Sequence, residues 1–435
     1  MPLPGRNGER TMLQLKWMLR ASACLAAAIC LAGPASAAEL EEDAQKCVNC
    51  HTRSTPNIVR DWERSAHFGK GVSCYDCHVV DADSPMGAMH LRTKLKVSVL
   101  VPSTTCGQCH RRIVKEFNQS GHFRAYKQQI PKDSLHALTA IHEGREHPEF
   151  GGAPNETGCI QCHGTEIKLD EEGRPTPETW PNSGIGNVYP DGSTGSCGVC
   201  HTRHAFSNEE ARKPFACASC HLGPDHPNIE IYENSKHGHI YRTEGHTWDF
   251  DGKPKDWQPG EDYRAPTCAS CHMSQVGDLK MTHNVSDRLY WVQWAKKSSV
   301  RGSDDVLSPI LGNGPEGREK MRQVCAECHS TDHTDGFFAQ ADKAVNLYNE
   351  AYYEPATKML EELKAKGLLR DNPWTDEFQV KYYYLWHHEG RRARMGATHG
   401  APDYAHWHGF FELMQDLYEL EKIYEKRLAT GKIED

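Results

Sequence analysis

The sequence predicts a mainly α-helical protein in which short helices and long loops are followed by a C-terminal bundle of long helices. Three observations support this prediction. Sixteen of the 18 cysteines in the 435-residue chain form eight C-x-x-C pairs, all before residue 330. The segments between these pairs are rich in Gly, Pro, Asn and Asp and lack sustained apolar periodicity. From about residue 337 cysteines are absent and helical patterning dominates.

The first 37 residues have the features of a secretory signal peptide. Lys16 and Arg20 supply positive charge, SACLAAAICLAG supplies an apolar centre, and small residues precede Ala38. The alternative is a membrane anchor, but this apolar run is shorter than the ~20 residues that a span needs. We therefore expect an exported, periplasmic protein that begins near Ala38, without Cys24 and Cys30. We expect no membrane span in the mature chain.

Each of the eight C-x-x-C pairs is followed at once by histidine. The pairs are Cys47 and Cys50, Cys74 and Cys77, Cys106 and Cys109, Cys159 and Cys162, Cys197 and Cys200, Cys217 and Cys220, Cys268 and Cys271, and Cys325 and Cys328. The histidines are His51, His78, His110, His163, His201, His221, His272 and His329. Zinc ribbons also use C-x-x-C, and exported proteins use disulfides, but neither explains a histidine at every next position. C-x-x-C-H attaches c-type haem through two thiols and supplies an iron ligand. The sequence therefore predicts eight covalently bound c-type haems.

The haem-binding part is expected to form one octahaem cytochrome c domain over residues 38–336. Successive motifs are separated by 20 to 57 residues with no fixed period, which excludes a solenoid of structural repeats. We expect short helices that carry the motifs, long loops held by the haems, and little sheet. The formal charge of −9 disfavours nucleic-acid binding, which requires a basic face.

Residues 337–430 are predicted to form three long helices of a bundle. The first is interrupted at Pro355 and stops at Gly367. The second has Thr375 as a candidate N-cap. The third places apolar residues along one face: Phe410, Leu413, Leu417 and Leu420. Such a bundle serves as structural support or, alternatively, for subunit association.

Electron-transfer haems take a second histidine on the face opposite the motif histidine. The chain contains 26 histidines, so eighteen remain after the motif histidines are assigned. The candidates for second ligands are His67, His90, His122, His204, His237, His283, His333, His388 and His408. This pool is large enough for seven haems, so counting histidines does not reveal an open iron.

An acid–base pair follows the sixth motif in CASCHLGPDHPNIEIY, where Asp225 and His226 are adjacent in a Gly-Pro turn. The eight motifs in order, this pair, and the segments WHHEGRRARMGA and PDYAHWHG resemble the hydroxylamine oxidoreductase family over almost the whole predicted mature chain. The resemblance implies seven bis-histidine haems and one five-coordinate catalytic haem. That haem would be attached by the motif before the pair, here Cys197, Cys200 and His201. The resemblance also implies a catalytic pocket of Asp225, His226 and Tyr290.

In oxidative members of this family, a tyrosine from a neighbouring subunit is covalently linked to the catalytic porphyrin. Tyr404 is similar to that tyrosine in its context, and the resemblance therefore implies a closed ring of subunits, most simply a homotrimer. Members without the tyrosine behave as reductases. The alternative for the aromatic cluster around Tyr404 is ordinary bundle core.

The proposed chemistry agrees with these residues. Oxidation of hydroxylamine releases protons together with electrons, so a carboxylate and an imidazole are suitable proton acceptors. We expect hydroxylamine to be oxidised to nitric oxide or nitrite, with electrons leaving to a cytochrome acceptor. One alternative is a reductase acting on nitrite or hydroxylamine, and another is a purely electron-transferring cytochrome. Hydrazine and related nitrogen compounds also remain open as substrates.

Overall fold

The computed structural model describes residues 41–90, 92–129, 158–303 and 312–433, and the predicted signal peptide with Cys24 and Cys30 lies outside them. The described part is mainly helical, as the sequence predicts. The chain divides into two compact units, residues 1–76 and 77–435, and each is described by itself. No helix in the described ranges combines the length and apolarity needed to span a bilayer.

The first unit holds helices Glu42–Ser54 and Pro56–Glu63 and a 3-10 turn, Phe68–Lys70. Pro56 begins the second helix at a position where its missing N–H costs nothing. Trp62 is buried, its indole N–H donates to the Val72 carbonyl at 2.9 Å, and Phe68 packs against its ring. These contacts close the loop that carries His67.

The second unit begins with short helices, several of which carry C-x-x-C-H residues. Helix Cys74–His78 crosses the division between the units. The next are Ser103–Gly107, Arg111–Phe117, Ala125–Gln129, Ile160–His163, Asn208–Arg212, Phe215–Ala218, Asn228–Asn234, Lys236–Glu244 and Cys268–His272. Three 3-10 turns lie among them: His122–Arg124, Cys197–Val199 and Gly245–Thr247. The expectation of short helices joined by long loops is confirmed.

Sheet structure in the described ranges is limited to two antiparallel pairs. Strand Ala88–His90 pairs with Leu95–Val97, and Trp291–Val292 pairs with Ser299–Val300. The first hairpin turns at Lys94, whose φ of 58° lies in the left-handed region.

Long helices form the C-terminal part of the second unit. They are Gly314–Ala326, Thr331–Tyr348, Glu354–Ala365, Glu377–Tyr384, Gly390–Thr398, Pro402–Ala405 and Glu412–Thr430. A 3-10 turn, Pro373–Thr375, precedes the helix at Glu377. Three π-helical turns link neighbouring helices: Asn349–Tyr353, Leu385–Glu389 and His406–Phe411.

Two predicted features of the first long helix are confirmed, and the helix begins earlier than predicted. The predicted interruption at Pro355 appears as the π turn immediately before it, and the helix ends ahead of Gly367, whose φ is 68°. The predicted domain boundary at 336/337, however, falls inside helix Thr331–Tyr348. That helix starts earlier because Ser330 caps it by accepting from the His333 N–H.

Thr375 is not the N-cap of the next helix. Asp376 takes that position, with its carboxylate accepting from the Gln379 N–H at 3.0 Å. The same carboxylate is fully buried and pairs with Arg427 at 3.1 Å. Asp376 therefore combines a cap with a buried ion pair that joins the start of this helix to the end of Glu412–Thr430.

The bundle core contains the predicted apolar stripe. Leu413 and Leu420 are fully buried, and Phe410 and Leu417 pack against the same cluster, which confirms the predicted face. The same segment also exposes a second stripe of large side chains: Trp407, Phe411, Met414 and Tyr418. Exposed apolar patches of this kind mark association surfaces.

Candidate haem and active sites

The motif histidines and cysteines lie close together because each motif occupies about one helical turn. In helix Cys268–His272 the capping residue Thr267 accepts from the Ser270 N–H, and Ser270 in turn accepts from the Thr267 N–H. This closes the turn that carries Cys268, Cys271 and His272. None of the sixteen motif cysteines, all of which lie in the described ranges, forms a disulfide.

The second cysteines of four motifs differ in position and exposure. Cys50 lies on helix Glu42–Ser54 and Cys77 on helix Cys74–His78, and both are half-buried. Cys109 and Cys328 are exposed, and the backbone N–H of each donates to the carbonyl of the first cysteine of its motif, at 3.2 and 3.1 Å. Attachment of haem to Cys50, Cys77, Cys109 and Cys328 themselves stays a prediction from the motif.

Haem iron fits between several facing histidine rings. A metal–imidazole bond is about 2.0 Å long and the ring centre lies about 1 Å beyond the nitrogen, so two opposite ligands have centroids roughly 6 Å apart. Four motif histidines meet this condition with candidate partners, at 6.1, 6.4, 6.1 and 6.5 Å: His78–His204, His201–His283, His329–His237 and His272–His399. The residues present therefore fit bis-histidine haems.

Hydrogen bonds and burial also prepare these imidazoles for a metal. The Nδ1 of His78 lies 2.7 Å from the Ser98 carbonyl oxygen, and the Nδ1 of His399 lies 2.9 Å from that of Met395. Each Nδ1–H donates there, which leaves Nε2 for iron. Burial lowers the pKa of His272 to about 3 and that of His283 to about 4. The rings are therefore neutral, as metal ligation requires.

Of the predicted second ligands, His204, His237 and His283 face motif histidines. His333 does not, because its ring stacks on His329 at 4.2 Å and 10°. An axial ligand lies beyond the iron along the ring plane, so a ring stacked face-on cannot be the opposite ligand. His399 was missed by the sequence reasoning. The only available signal is its place at the end of helix Gly390–Thr398, directly after the WHHEGRRARMGA segment.

The other predicted ligands occupy varied positions. His67 lies in the first unit, and His90 lies in the hairpin with its Nδ1 3.4 Å from the Thr93 hydroxyl. His388 stacks on Tyr384 at 4.9 Å. His408 is exposed, 3.5 Å from both Asp403 and Glu412. These contacts leave the ligand role of all four as a prediction.

His221 has two candidate partners at the same distance. The rings of His122 and His226 each lie 6.0 Å from it. His122 is half-buried, and desolvation lowers its pKa to about 4. His226 instead uses its Nδ1 to contact Asp225 Oδ1 at 2.5 Å. One iron accepts one opposite ligand, and the neutral His122 is the better match.

Cysteines of different motifs also contact one another. Hydrogen-bonding contacts join three pairs: Cys106–Cys197, Cys162–Cys220 and Cys217–Cys268. Since each cysteine anchors the edge of a porphyrin, haems attached to such motifs are immediate neighbours. These contacts link the third motif to the fifth, the fourth to the sixth and the sixth to the seventh.

Asp225 and His226 form a half-buried pair, with about a fifth of each side chain exposed. Burial alone would raise the pKa of Asp225, but the hydrogen bond from His226 and the nearby His387 and Arg391 lower it well below its usual range. Asp225 is therefore ionised, and its carboxylate fixes the His226 proton on Nδ1. The free Nε2 is left as a proton acceptor.

Three side chains spaced four residues apart complete the pocket: Tyr383, His387 and Arg391. Arg391 Nη1 is 3.4 Å from Asp225 Oδ2 and 3.2 Å from His387 Nε2. Tyr383 stacks on His387 at 4.4 Å. The π turn Leu385–Glu389 lies between Tyr383 and Arg391, and such turns are frequent at functional sites. Sequence reasoning missed this group, although WHHEGRR contains two of its members.

The two predicted tyrosines lie apart from this group. Tyr290 lies under the Arg318 guanidinium, 3.5 Å from the ring centre, and packs edge-on against Trp291. These contacts of Tyr290 do not include Asp225, whereas Asp225 acts electrostatically on Tyr383; the pocket role of Tyr290 stays a prediction. Tyr404 is half-buried against Ile231, Met395 and Ala401.

The open haem predicted on His201 stays a prediction. The rings of His201 and His283 lie 6.4 Å apart and 23° from parallel, so His283 is a candidate second ligand for a haem on His201. Asp225 acts electrostatically on Cys162 of the fourth motif, whose neighbour His163 acts on His122 and His221. The acid–base pair, which directly follows the sixth motif, is therefore also within electrostatic range of the fourth.

Comparison with known proteins agrees with the reading of the C-x-x-C-H motifs. A family model described as "Seven times multi-haem cytochrome CxxCH" matches residues 192–374, and one described as "Cytochrome c554 and c-prime" matches residues 105–202. Covalently bound c-type haems are therefore the cofactors of this chain.

A curated protein of Kuenenia stuttgartiensis, named a probable nitrite reductase-hydroxylamine oxidoreductase fusion protein, is 29% identical over 332 residues. The match covers 66% of this chain and 34% of the relative, so the chain spans about a third of that protein.

Solved structures share the fold. One described as a hypothetical multiheme protein has a TM-score of 0.77 and 22% identity, over 91% of this chain and 98% of its own. A chain of the reducing HAO-like protein complex of Kuenenia stuttgartiensis has a TM-score of 0.60 and 23% identity, over 89% and 86%. HAO stands for hydroxylamine oxidoreductase. The motifs, the facing histidines and these comparisons together show that the chain is a multihaem cytochrome c, similar in sequence and fold to HAO-like proteins.

Proposed function

We propose that this chain is an exported octahaem oxidoreductase that oxidises hydroxylamine to nitric oxide or nitrite and passes the electrons to a cytochrome. The observation that carries the proposal is the Asp225–His226 pair beside the fourth haem motif. An ionised carboxylate that orients an imidazole, at a haem edge, is suited to removing protons from a bound nitrogen substrate.

We further propose that the catalytic haem is attached to Cys159, Cys162 and His163 rather than to the fifth motif. The influence of Asp225 on Cys162 supports this choice, and His283 facing His201 argues against the alternative. When bound, haem iron supplies a Lewis acid for the substrate nitrogen and the start of an electron path.

The residues of this chain have separable roles in the proposed reaction. His226 accepts a substrate proton at Nε2 while Asp225 holds Nδ1–H and stabilises the imidazolium that forms. Arg391 keeps Asp225 ionised, and Trp294, with its ring 5.6 Å from His226, limits access of water. The neighbouring motifs, linked through their cysteine contacts, then provide electron-accepting haems.

Assembly into a ring of three subunits is part of the proposal. The exposed side chains of Trp407, Phe411, Met414 and Tyr418 share one face of the segment that follows Tyr404. Burial of this stripe by a second subunit would remove apolar area from water and bring Tyr404 close to a subunit boundary.

A reductase acting on nitrite or hydroxylamine is the second candidate function. The name of the curated relative includes both activities, and the positive Arg391 beside Asp225 suits an anion as well as a neutral substrate. A purely electron-transferring cytochrome is the third candidate.

Anaerobic mixing with hydroxylamine tests these proposals. Rapid reduction of the haem absorption bands in the oxidised protein is the expected result. Failure of hydroxylamine to reduce the haems, together with consumption of nitrite by the reduced protein, would establish the reductase instead. A spectrum without any high-spin bands, and with neither reaction, would leave electron transfer alone.

A further inference from the structure

Arg391 supplies a permanent positive charge beside the Asp225 carboxylate. Its residue surface is 8% exposed, and its Nη2 donates to the Trp294 carbonyl oxygen at 2.6 Å. Its Nη1 faces Asp225 Oδ2 at 3.4 Å. Burial lowers the pKa of Arg391 only to about 10, so the guanidinium is charged at neutral pH. One positive charge therefore offsets the single carboxylate beside His226.

The net charge around Asp225 determines whether a negatively charged ligand can bind there. A pocket that contained Asp225 without a cation would repel a negatively charged ligand, because Coulomb energies at a few Å are large where water is excluded. A neutral ligand would be affected much less. When the charge of Asp225 is offset by Arg391, the carboxylate no longer repels an anion. It still accepts hydrogen bonds.

Arg391 also retains an unused donor. Its Nε–H is buried and has no acceptor among the described residues. A buried guanidinium N–H without an acceptor is costly in a folded protein, and an entering oxygen acceptor would relieve that cost. Arginine is the side chain best suited to small oxyanions.

We propose that Arg391 is a specificity-determining residue that allows the pocket to bind a monovalent oxyanion, nitrite, as well as neutral hydroxylamine. This inference rests on the proposed function because it concerns the same pocket. Nitrite and hydroxylamine then bind at one site. Asp225 and His226 transfer protons there, and Arg391 compensates the negative charge of the anion.

A different role is possible for the same contacts. Arg391 packs between Trp294 and Trp386, at 5.8 and 5.3 Å from their ring centres, and holds the Trp294 backbone. A residue that only supports this wall of the pocket would affect neutral and charged ligands equally. The discriminating measurement is therefore a comparison of two ligands.

The experiment titrates the oxidised, haem-loaded protein at pH 7.5 with sodium nitrite and, separately, with O-methylhydroxylamine, a neutral analogue of the substrate. The haem absorption bands give the Kd of each. The variants are Arg391→Gln, Arg391→Lys and the control Lys297→Gln. Lys297 is exposed and pairs with Glu354 at 2.7 Å, so the control removes one positive charge outside the pocket.

For Arg391→Gln we expect the Kd of nitrite to rise at least 10-fold and that of O-methylhydroxylamine to change less than about 3-fold. Arg391→Lys should recover most of the nitrite affinity, and Lys297→Gln should resemble the unaltered protein. Equal losses for both ligands, or no nitrite binding by the unaltered protein, would overturn the inference. Arg391-dependent nitrite binding without hydroxylamine oxidation would instead refute only the oxidative function.

Discussion

The imidazole of His399 faces that of His272 with ring centres 6.5 Å apart, while its Nδ1–H donates to the Met395 carbonyl at 2.9 Å. The C-terminal bundle thereby contributes a ligand position to the seventh haem motif. The haem array and the bundle are joined by this contact within one compact unit.

His399→Ala should leave the haem on His272 with one histidine ligand. Since a missing strong-field ligand converts low-spin iron to high-spin iron, we expect one additional high-spin haem in the electron paramagnetic resonance spectrum. His246→Ala, at an exposed position, is the control and should leave the spectrum unaltered. An unchanged spectrum in His399→Ala would show that another residue ligates this iron.

His226→Ala should lower hydroxylamine oxidation by roughly 100-fold or more, the range expected for a lost general base. The low-spin haem signals should stay as they are, because we assign the ligand position opposite His221 to His122. The matched variant His122→Ala should instead give a new high-spin signal. A new high-spin signal in His226→Ala would identify His226 as the iron ligand.

Tyr404→Phe should remove the proposed covalent link between subunits while all haems stay attached. The unaltered protein should run as joined chains on denaturing gels after reduction of any disulfides. Oxidation of hydroxylamine should fall in the variant, and nitrite reduction should remain. Tyr424→Phe is the control because Tyr424 lies on the following helix and packs against the bundle core, outside the exposed stripe. Single chains in the unaltered protein would contradict the crosslink.

Intact-mass analysis of exported protein should give a chain that begins near Ala38 plus eight haem masses. The reason is that each of the eight C-x-x-C-H motifs provides two thiols and a ligand. Zinc in the purified protein, or fewer than seven haems, would contradict this expectation.

Asp416→Asn should reduce the pH dependence of stability. Burial raises the pKa of Asp416 to about 6, partly opposed by Lys381. The folded state therefore binds more protons than the unfolded state, and stability falls as pH rises from about 4 to about 6. Thermal melting between pH 4 and pH 7 should show a decrease of about 1–3 kcal/mol that is smaller in the variant. Parallel pH profiles would be the contrary result.

The sequence predicted those parts of the haem sites that are local in the chain. A motif histidine follows its cysteines directly, so eight of them could be identified without any fold. The opposite ligands come from distant segments, and their identity depends on helix phase. That is why His399 was missed and His333, four residues from His329, was chosen although it stacks on its neighbour.

In the proposed pocket, too, only the residues that are adjacent in the sequence could be predicted. Asp225 and His226 are adjacent in sequence and form a pair in the structure. Tyr383, His387 and Arg391 are spaced four residues apart on a segment that contains the π turn Leu385–Glu389, but the sequence does not show that this face meets Asp225, because that contact depends on tertiary packing. Tyr290 was placed by resemblance alone, and its ring lies under the Arg318 guanidinium.

The contacts between cysteines of different motifs have a consequence for biogenesis. Cys106 meets Cys197, Cys162 meets Cys220 and Cys217 meets Cys268. If the chain is exported as we propose, it matures in an oxidising compartment, where neighbouring thiols can form disulfides. Each such disulfide would consume two thiols that are needed for thioether bonds. We therefore expect haem attachment to precede the closure of these contacts.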